Sequence, residues 1–148
     1  MVEVRGPATM KRVKTARRWL PAIALAAVLF GLSSQPDLRI ASEPTLDTIL
    51  RKLGHLGAYA LLAMLVAYAL GGTGGADRSW RVLAIVVAYA VSDEMHQAFV
   101  PGREPALSDV AIDAVGGVLG LAASRLLKRR LARVDRLALE VELRPDRG

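Results

Sequence analysis

Four apolar stretches, separated by polar or glycine-rich segments, dominate the hydrophobic pattern of this chain. They cover about residues 19–34, 53–70, 80–100 and 109–127. A helix of about 20 apolar residues crosses a hydrocarbon layer roughly 30 Å thick, and these stretches approach or reach that length. No strand-like alternation of apolar and polar residues competes with the helical interpretation. The pattern therefore predicts an all-α fold, an integral membrane four-helix bundle.

Turn and capping residues separate the predicted helices. The glycine-rich segment 71–77 cannot continue a helix cheaply, and Pro101-Gly102 ends the third stretch. Ser108 is a suitable N-cap for the fourth helix, and Asp109 suits the positive end of its dipole. These signals predict short connections between the second, third and fourth spans.

The first apolar stretch has two interpretations. It follows a basic segment and leads to the small residues Gly31 and Ser33, which is typical of a cleavable signal peptide. Pro21 near its start and the later spans fit an uncleaved first helix as well, in which flanking arginines extend a short span. Both interpretations stay open at this point.

The distribution of charge predicts the orientation in the membrane. The chain has 20 Lys and Arg against 14 Asp and Glu, a net charge of +6. Basic residues concentrate in segment 1–18 and after Leu127, so the positive-inside rule places both termini in the cytoplasm. Segments 33–52 and 98–107 then lie on the outer side. The basic residues are not interleaved with stacking aromatics on one face, so no nucleic-acid partner is predicted.

The tail, residues 128–148, is too charged to span a membrane. Its apolar residues recur at helical spacing between arginines (Leu131, Val134, Ala138 and Val141). This pattern predicts a C-terminal basic amphipathic helix on anionic lipid at the cytoplasmic face. A solvated charged tail is the alternative.

Ionisable residues within the apolar stretches predict a functional site, because each is unfavourable in lipid by a few kcal/mol. With the predicted topology, His55 lies at the outer start of the second span. Segment 93–97 lies at the outer end of the third, and Asp109 and Asp113 lie at the outer start of the fourth. Three segments of the sequence thus bring polar groups to one depth, which predicts an outward-facing polar pocket.

Helical spacing assigns some of these residues to shared faces. Two sets are spaced three and four apart, namely Lys52, His55 and Tyr59, and Tyr89, Asp93 and His96. Asp93 and Glu94 are about 100° apart around a helix, so both cannot face one pocket, and one of them is expected to face water or the loop. Arg103 is the only cation in its loop, and we expect it to pair with Asp109 or Asp113. Gly116 and Gly120 should let a neighbouring backbone approach closely.

Several chemistries are compatible with these residue types. Imidazole and carboxylate groups suit zinc, but Glu94 and His96 point about 200° apart and no His-Glu-x-x-His pair occurs, so no metal site is predicted. Hydrolysis or transfer would use His55 or His96 as the base, with Asp109 orienting it, although no nucleophile elbow is present. Ion translocation is disfavoured because the inner halves of the spans are apolar apart from Tyr68 and Ser124.

The polar motifs resemble those of the VanZ-like family of bacterial membrane proteins. The resemblance covers about residues 46–127 and is carried by three motifs: Lys52-x-x-His55-x-x-x-Tyr59; Ser92-Asp93-Glu94-x-His96-Gln97-x-Phe99-x-Pro101-Gly102-Arg103; and Ser108-Asp109 followed by Gly116-Gly117 and Gly120. The chain departs from the family pattern at Arg51, where an Asp is usual, and at Asp113, where an Asn is usual. The resemblance implies a small multi-span protein of the cell membrane, from a family whose founding member is associated with low-level teicoplanin resistance.

The residues and the resemblance together predict a binding pocket for an envelope component, either a membrane lipid headgroup or a lipid-linked cell-wall precursor. The expected binding residues are Lys52, His55, Tyr59, Asp93, Glu94, Gln97, Arg103, Asp109 and Asp113. The alternative is a membrane-embedded hydrolase or transferase acting on a lipid-linked substrate, with His55, His96 and Asp109 as catalytic candidates. Neither hypothesis requires a cofactor, and the sequence does not indicate an oligomeric state.

Overall fold

The fold consists of four helices. A computed structural model describes residues 7–36, 39–103 and 106–142, and the side chains of residues 15–36, 39–103 and 106–140. Within these ranges α1 spans Pro7–Ser33, α2 Pro44–Ala69, α3 Ala76–Gln97 and α4 Leu107–Glu142, and no strand occurs. The predicted all-α fold with four helices is confirmed.

Three of the four helices are long and apolar enough to cross a membrane, by length and composition. Their apolar spans are Thr15–Ser33 in α1, Pro44–Ala69 in α2 and Leu107–Glu140 in α4. Helix α3 does not meet the same measure, and it carries charged residues near both of its ends. The fourth membrane span therefore stays a prediction, as does the cytoplasmic position of both termini.

Large apolar side chains cover the outside of the bundle. Leu20 is 61% exposed, Trp80 71% and Met95 63%. Apolar surface on this scale marks a membrane or protein contact rather than a surface in water. Met95 and its neighbours Ile85 and Val91 give α3 an apolar outer face as well, as its predicted position in the membrane requires.

Helix α2 begins at Pro44, well before the predicted start near residue 53, because Glu43 caps it. The Glu43 carboxylate accepts hydrogen bonds from the backbone N–H groups of Thr45, at 2.9 Å, and Leu46, at 2.5 Å. These two bonds hold the pKa of Glu43 below its ordinary value, and Pro44 suits the first helical turn. The early start adds about two and a half turns, which carry Thr48 and Arg51 toward the site.

Helix α4 continues without interruption from the membrane part into the tail. It runs for 36 residues to Glu142, because residues 128–142 contain neither Gly nor Pro and consist mainly of strong helix formers. The described side chains from Arg125 to Glu140 are exposed. The segment from residue 128 to Glu142, for which a basic amphipathic helix is predicted, is an extension of α4. Its position on lipid stays a prediction.

Helix α2 packs against all three other helices, whereas α1 and α4 make no contact within the described ranges. The buried core lies along α2, at Tyr59, Ala63 and Val66, and meets Val82 and Val86 of α3. Helix α2 therefore determines the depth at which polar groups of the other helices meet.

Two glycines set the close approach of α4 to α2, as predicted. A Cβ atom added at Gly116 would lie 2.5 Å from the carbonyl oxygen of Leu56, and one added at Gly120 would overlap the backbone of Ala60. The two backbones can pack this closely only because both positions lack a side chain. This contact fixes the register that brings the start of α4 beside Lys52 and His55.

Candidate functional site

The predicted polar residues gather at one end of the bundle. This end is formed by the C-terminal ends of α1 and α3 and by the N-terminal halves of α2 and α4. Cross-helix hydrogen bonds join Lys52 to Asp109, His55 to Asp113 and Ser33 to Asp93. The expectation that separate segments bring polar groups to one depth is met by these contacts.

Lys52 and Asp109 form an ion pair between α2 and α4. The Lys52 ammonium donates to Asp109 Oδ1 at 3.1 Å, and the Ser108 hydroxyl donates to the same oxygen at 3.2 Å. The two side chains are 43% and 36% exposed, so solvent screens the pair and its contribution to stability is small. The pair orients Lys52 rather than holding the bundle together.

His55 and Asp113 form the second contact between α2 and α4. Nδ1 of His55 lies 3.2 Å from Oδ1 of Asp113, and the aspartate is buried while the imidazole is 29% exposed. A carboxylate at Nδ1 fixes the orientation of the ring and leaves Nε2 available. Asp113, and not Asp109 as predicted, is therefore the acid that orients His55.

Asp93 is the centre of a buried cluster that joins α1, α2 and α3. Its Oδ2 atom accepts hydrogen bonds from Ser33 at 2.9 Å, Gln97 at 3.2 Å and Tyr59 at 3.4 Å. Oδ1 is also buried and has no hydrogen-bond partner among the described residues. Since Tyr59 and Asp93 are almost fully buried, this cluster lies beneath the site and supports it.

A cavity of about 310 Å³ opens above this layer. Five of the predicted binding residues line it: Lys52, His55, Gln97, Arg103 and Asp109. Thr48, Arg51, Gly102 and Ile112 complete the lining. Among the described lining residues, three permanent cations and one carboxylate face the cavity, which favours an anionic ligand. We call this space the polar cavity.

A smaller, largely apolar cavity of about 180 Å³ adjoins the polar cavity. The two share Arg51, His55 and Arg103. The remaining lining is mostly aliphatic and comes from α1, α2 and the loop between them: Leu29, Leu32, Ser33, Ile40, Gly54 and Ala58. A charged compartment thus adjoins an apolar one, and Arg51 and Arg103 lie at their boundary.

Four predicted binding residues lie outside the polar cavity. Tyr59, Asp93 and Asp113 belong to the buried layer. Glu94 accepts a hydrogen bond from the backbone N–H of Ala106 at 2.6 Å and so holds the loop between α3 and α4. Asp93 and Glu94 are expected to face different surroundings, one of them water or the loop. Glu94 is the one that faces the loop.

His96 faces α1 rather than the polar cavity. Its ring stacks on Phe30 with centroids 4.1 Å apart, and Nε2 lies 3.0 Å from the Ser34 hydroxyl. The Tyr89 hydroxyl likewise donates to the carbonyl oxygen of Ala26 in α1 at 2.6 Å. The predicted face of Tyr89, Asp93 and His96 exists, but it packs against the first helix.

Arg103 does not make the predicted ion pair with Asp109 or Asp113. Among the described residues those acids pair with Lys52 and His55 instead. Arg103 donates only a long hydrogen bond of 3.4 Å to the carbonyl oxygen of Gln35, and its buried Nε has no partner in the described part of the chain. The guanidinium therefore retains hydrogen-bonding capacity toward the two cavities.

Arg51 and Thr48 are site residues that sequence reasoning missed. Arg51 Nε lies 3.0 Å from Asp47 Oδ2, an ion-pair distance, but without the alignment of a hydrogen bond. Thr48, Arg51 and Lys52 are spaced three and four from His55 or from one another and so share its face. The signal was available in Glu43-Pro44, which marks a helix start early enough to include them.

The structure does not indicate a metal site in its described part. Within residues 15–36, 39–103 and 106–140, no three His, Asp or Glu side chains are grouped so that they could hold an ion. His55 and Asp113 form a pair, while His96 and Glu94 point to α1 and to the loop.

The fold and the site define a small helical membrane protein with a polar cavity at one end of its bundle. In a comparison with family profiles, the VanZ/LLP1 profile matches residues 8–128. Since this match covers most of the 148 residues, the chain belongs to the VanZ/LLP1 family. Curated proteins and solved structures give no match to the chain.

Proposed function

We propose that the polar cavity binds the anionic headgroup of a lipid-like envelope component on the outer side of the cell membrane. The observation that carries the proposal is the set of cations at the boundary of the two cavities. Arg51 and Arg103 line both the charged and the apolar compartment. A molecule with a phosphate and a hydrocarbon chain fits this arrangement, because the guanidinium groups bind the phosphate while the chain occupies the aliphatic side.

The lipid-linked cell-wall precursors are the ligand class that we favour over ordinary membrane lipid. The polar cavity, at about 310 Å³, has space for a group beyond the phosphate. Thr48, Gln97 and Asp109 provide hydroxyl, amide and carboxylate groups that can hydrogen-bond to it. Within this proposal, occupancy of a cell-wall precursor would also alter susceptibility to teicoplanin, the phenotype associated with the founding member of the family.

Binding is tested with the full-length protein in detergent and a polyprenyl phosphate as the probe. We expect one lipid per chain in native mass spectrometry, and no retention of the polyprenol of equal length that lacks the phosphate. Arg103→Gln should weaken retention at least about tenfold, since a hydrogen bond to a charged group contributes roughly 1.5–3 kcal/mol. Arg39→Gln is the matched control, because Arg39 is exposed at the same end and does not line the polar cavity.

Asp109→Asn provides a second test, in which binding of polyprenyl phosphate is expected to become stronger rather than weaker. Removing the carboxylate frees the Lys52 ammonium for the ligand and raises the positive charge of the cavity, so polyprenyl phosphate should bind several-fold more tightly. Equal retention of polyprenol, or equal loss in the Arg103 and Arg39 variants, would refute the proposal. Stronger retention of phosphatidylglycerol than of polyprenyl phosphate would assign the site to membrane lipid.

A hydrolase or transferase acting on a lipid-linked substrate is the second candidate, and the His55–Asp113 pair favours it. The ring is oriented through Nδ1 and lines the cavity, which is the arrangement of a general base. With polyprenyl diphosphate as substrate, base-activated water would attack the terminal phosphorus and release inorganic phosphate and polyprenyl phosphate. Phosphate release that His55→Asn abolishes would support this candidate, and stoichiometric binding without release would exclude it for that substrate.

A further inference from the structure

The opposite end of the bundle carries a second amphipathic site. A groove of about 550 Å³ runs between α2 and α4. Its membrane-facing part is apolar, with Leu61, Met64 and Leu65 on α2 facing Leu127 and Leu131 on α4. The other end of the groove reaches the glycine-rich turn at Gly72 and Thr73 and the side chain of Lys128.

A basic pocket adjoins this groove. It is lined by Arg125, Lys128 and Arg129 of α4 together with Thr73 and Gly75 of the turn, and it shares Thr73, Lys128 and Ala132 with the groove. The turn can lie this close to α4 because Gly72 and Gly75 adopt positive φ angles of 99° and 85°. A Cβ atom at Gly72 would lie 3.8 Å from Lys128 Nζ.

The charges at this end lack acidic partners. Lys128 and Arg129 make no hydrogen bond or ion pair within the described residues, and Arg125 donates to the Ser79 hydroxyl at 2.7 Å, a neutral group. Arg18 of α1 lies over the ring of Tyr68, which also lines the groove, at 5.9 Å from the centroid. The one acid in the lining, Asp135, lies two turns beyond Lys128, about 10 Å along the helix.

We infer that this end binds one anionic phospholipid, with an acyl chain in the groove and the phosphate in the basic pocket. Charge complementarity selects the occupant, since three cations that have no acidic partner among the described residues meet the end of an apolar groove at the level of the turn. Basic pockets between membrane helices on the cytoplasmic side bind anionic headgroups in this way. The site is separate from the polar cavity and does not depend on its function.

The test compares phosphatidylglycerol with phosphatidylcholine of the same acyl chains, on the full-length protein in detergent, by native mass spectrometry. The Arg103→Gln background weakens binding at the polar cavity, so that retention at the second site dominates. We expect selective retention of one phosphatidylglycerol. The double variant Lys128→Gln/Arg129→Gln should weaken it about thirtyfold, on a factor of roughly five for each basic residue.

Matched controls distinguish binding at this site from a general attraction of anionic lipid to the positive charge of α4. Arg133→Gln/Arg136→Gln removes the same charge from exposed positions of α4 outside both pockets and should change retention less than threefold. Ala132→Trp fills the junction of groove and pocket and should abolish retention, whereas Ala138→Trp should not. Equal retention of phosphatidylcholine, equal loss in the two double variants, or full retention in Ala132→Trp would each overturn the inference.

Discussion

Nδ1 of His55 lies 3.2 Å from Oδ1 of Asp113, across the interface between α2 and α4. Asp113 is 2% exposed, whereas His55 lines the polar cavity. The pair therefore connects the buried polar layer with the proposed binding site. We expect the contact to need an acceptor at this position more than a charge, because an oxygen of Asp113 faces Nδ1 of His55.

Replacement of Asp113 tests that requirement. Asp113→Asn keeps an oxygen that can accept from Nδ1–H and should change the free energy of unfolding by less than about 1 kcal/mol. Asp113→Ala leaves the imidazole without its partner and should destabilise the protein by about 1–3 kcal/mol. Unfolding of the purified protein in detergent measures both. Equal losses for Asn and Ala would show that the charge itself is required.

Asp93 should contribute more to stability than any other described side chain of the buried layer. Asp93→Ala removes the shared acceptor of Ser33, Tyr59 and Gln97, so three helices lose a hydrogen bond at once. We expect destabilisation of about 3 kcal/mol or more. Ser92→Ala is the neighbouring control, because Ser92 is exposed and bonds only within its own helix. Similar unfolding curves for the two variants would contradict this role.

Gly120 should not tolerate a side chain. In Gly120→Ala the new methyl group meets the backbone of Ala60, which cannot move without separating α2 from α4. Overpacking of this kind destabilises by about 1–3 kcal/mol, and backbone contact places Gly120 at the upper end of that range.

Gly57→Ala is the control for Gly120→Ala. Nothing lies within 4 Å of the added carbon, so helix propensity should make this variant neutral or stabilise it by up to about 1 kcal/mol. Thermal unfolding in detergent compares the two. A neutral Gly120→Ala would mean that α2 and α4 are farther apart in the folded protein than in this structure.

Glu43 should make the stability of the α2 start depend on pH. Its pKa in the folded protein is lowered by the backbone hydrogen bonds from Thr45 and Leu46, relative to an ordinary value of 4.5. A lowered pKa means that the stabilisation is present above that ordinary value and is lost as the pH falls through the folded-state pKa. Glu43→Ala should therefore lower the melting temperature at pH 7, and the difference from wild type should shrink below about pH 4.5.

A rescue variant tests whether a capping carboxylate accounts for the effect of Glu43→Ala. Glu43→Asp retains a carboxylate that is also a favoured N-cap and should restore the melting temperature at pH 7. A difference between wild type and Glu43→Ala that is constant from pH 7 to pH 3 would contradict capping by the carboxylate.

Local pattern was sufficient for the number of helices and for the end of the bundle that holds polar groups, but not for the start of α2, which lies at Pro44. Apolar length predicts the spans, and spacing of three and four predicts that Lys52, His55 and Tyr59 share a face. Gly116 and Gly120 could be assigned to a close helix contact, because a repeat of small residues lets backbones approach. Each of these inferences depends on the helix that carries the residues and not on its neighbours.

Which side chains contact one another across helices was decided only by the tertiary structure. Spacing places His96 and Asp93 on one face, but the rotation of α3 turns that face toward Ser33 at the end of α1 and Ser34 just after it. The register set by Gly116 and Gly120 brings Asp113 to His55 and Asp109 to Lys52, so Arg103 has no acidic partner among the described residues. The sequence of a helix thus determines which residues share a face and which faces are polar. The rotation of each helix and the depth at which its polar residues lie are determined by packing between helices that are distant in sequence.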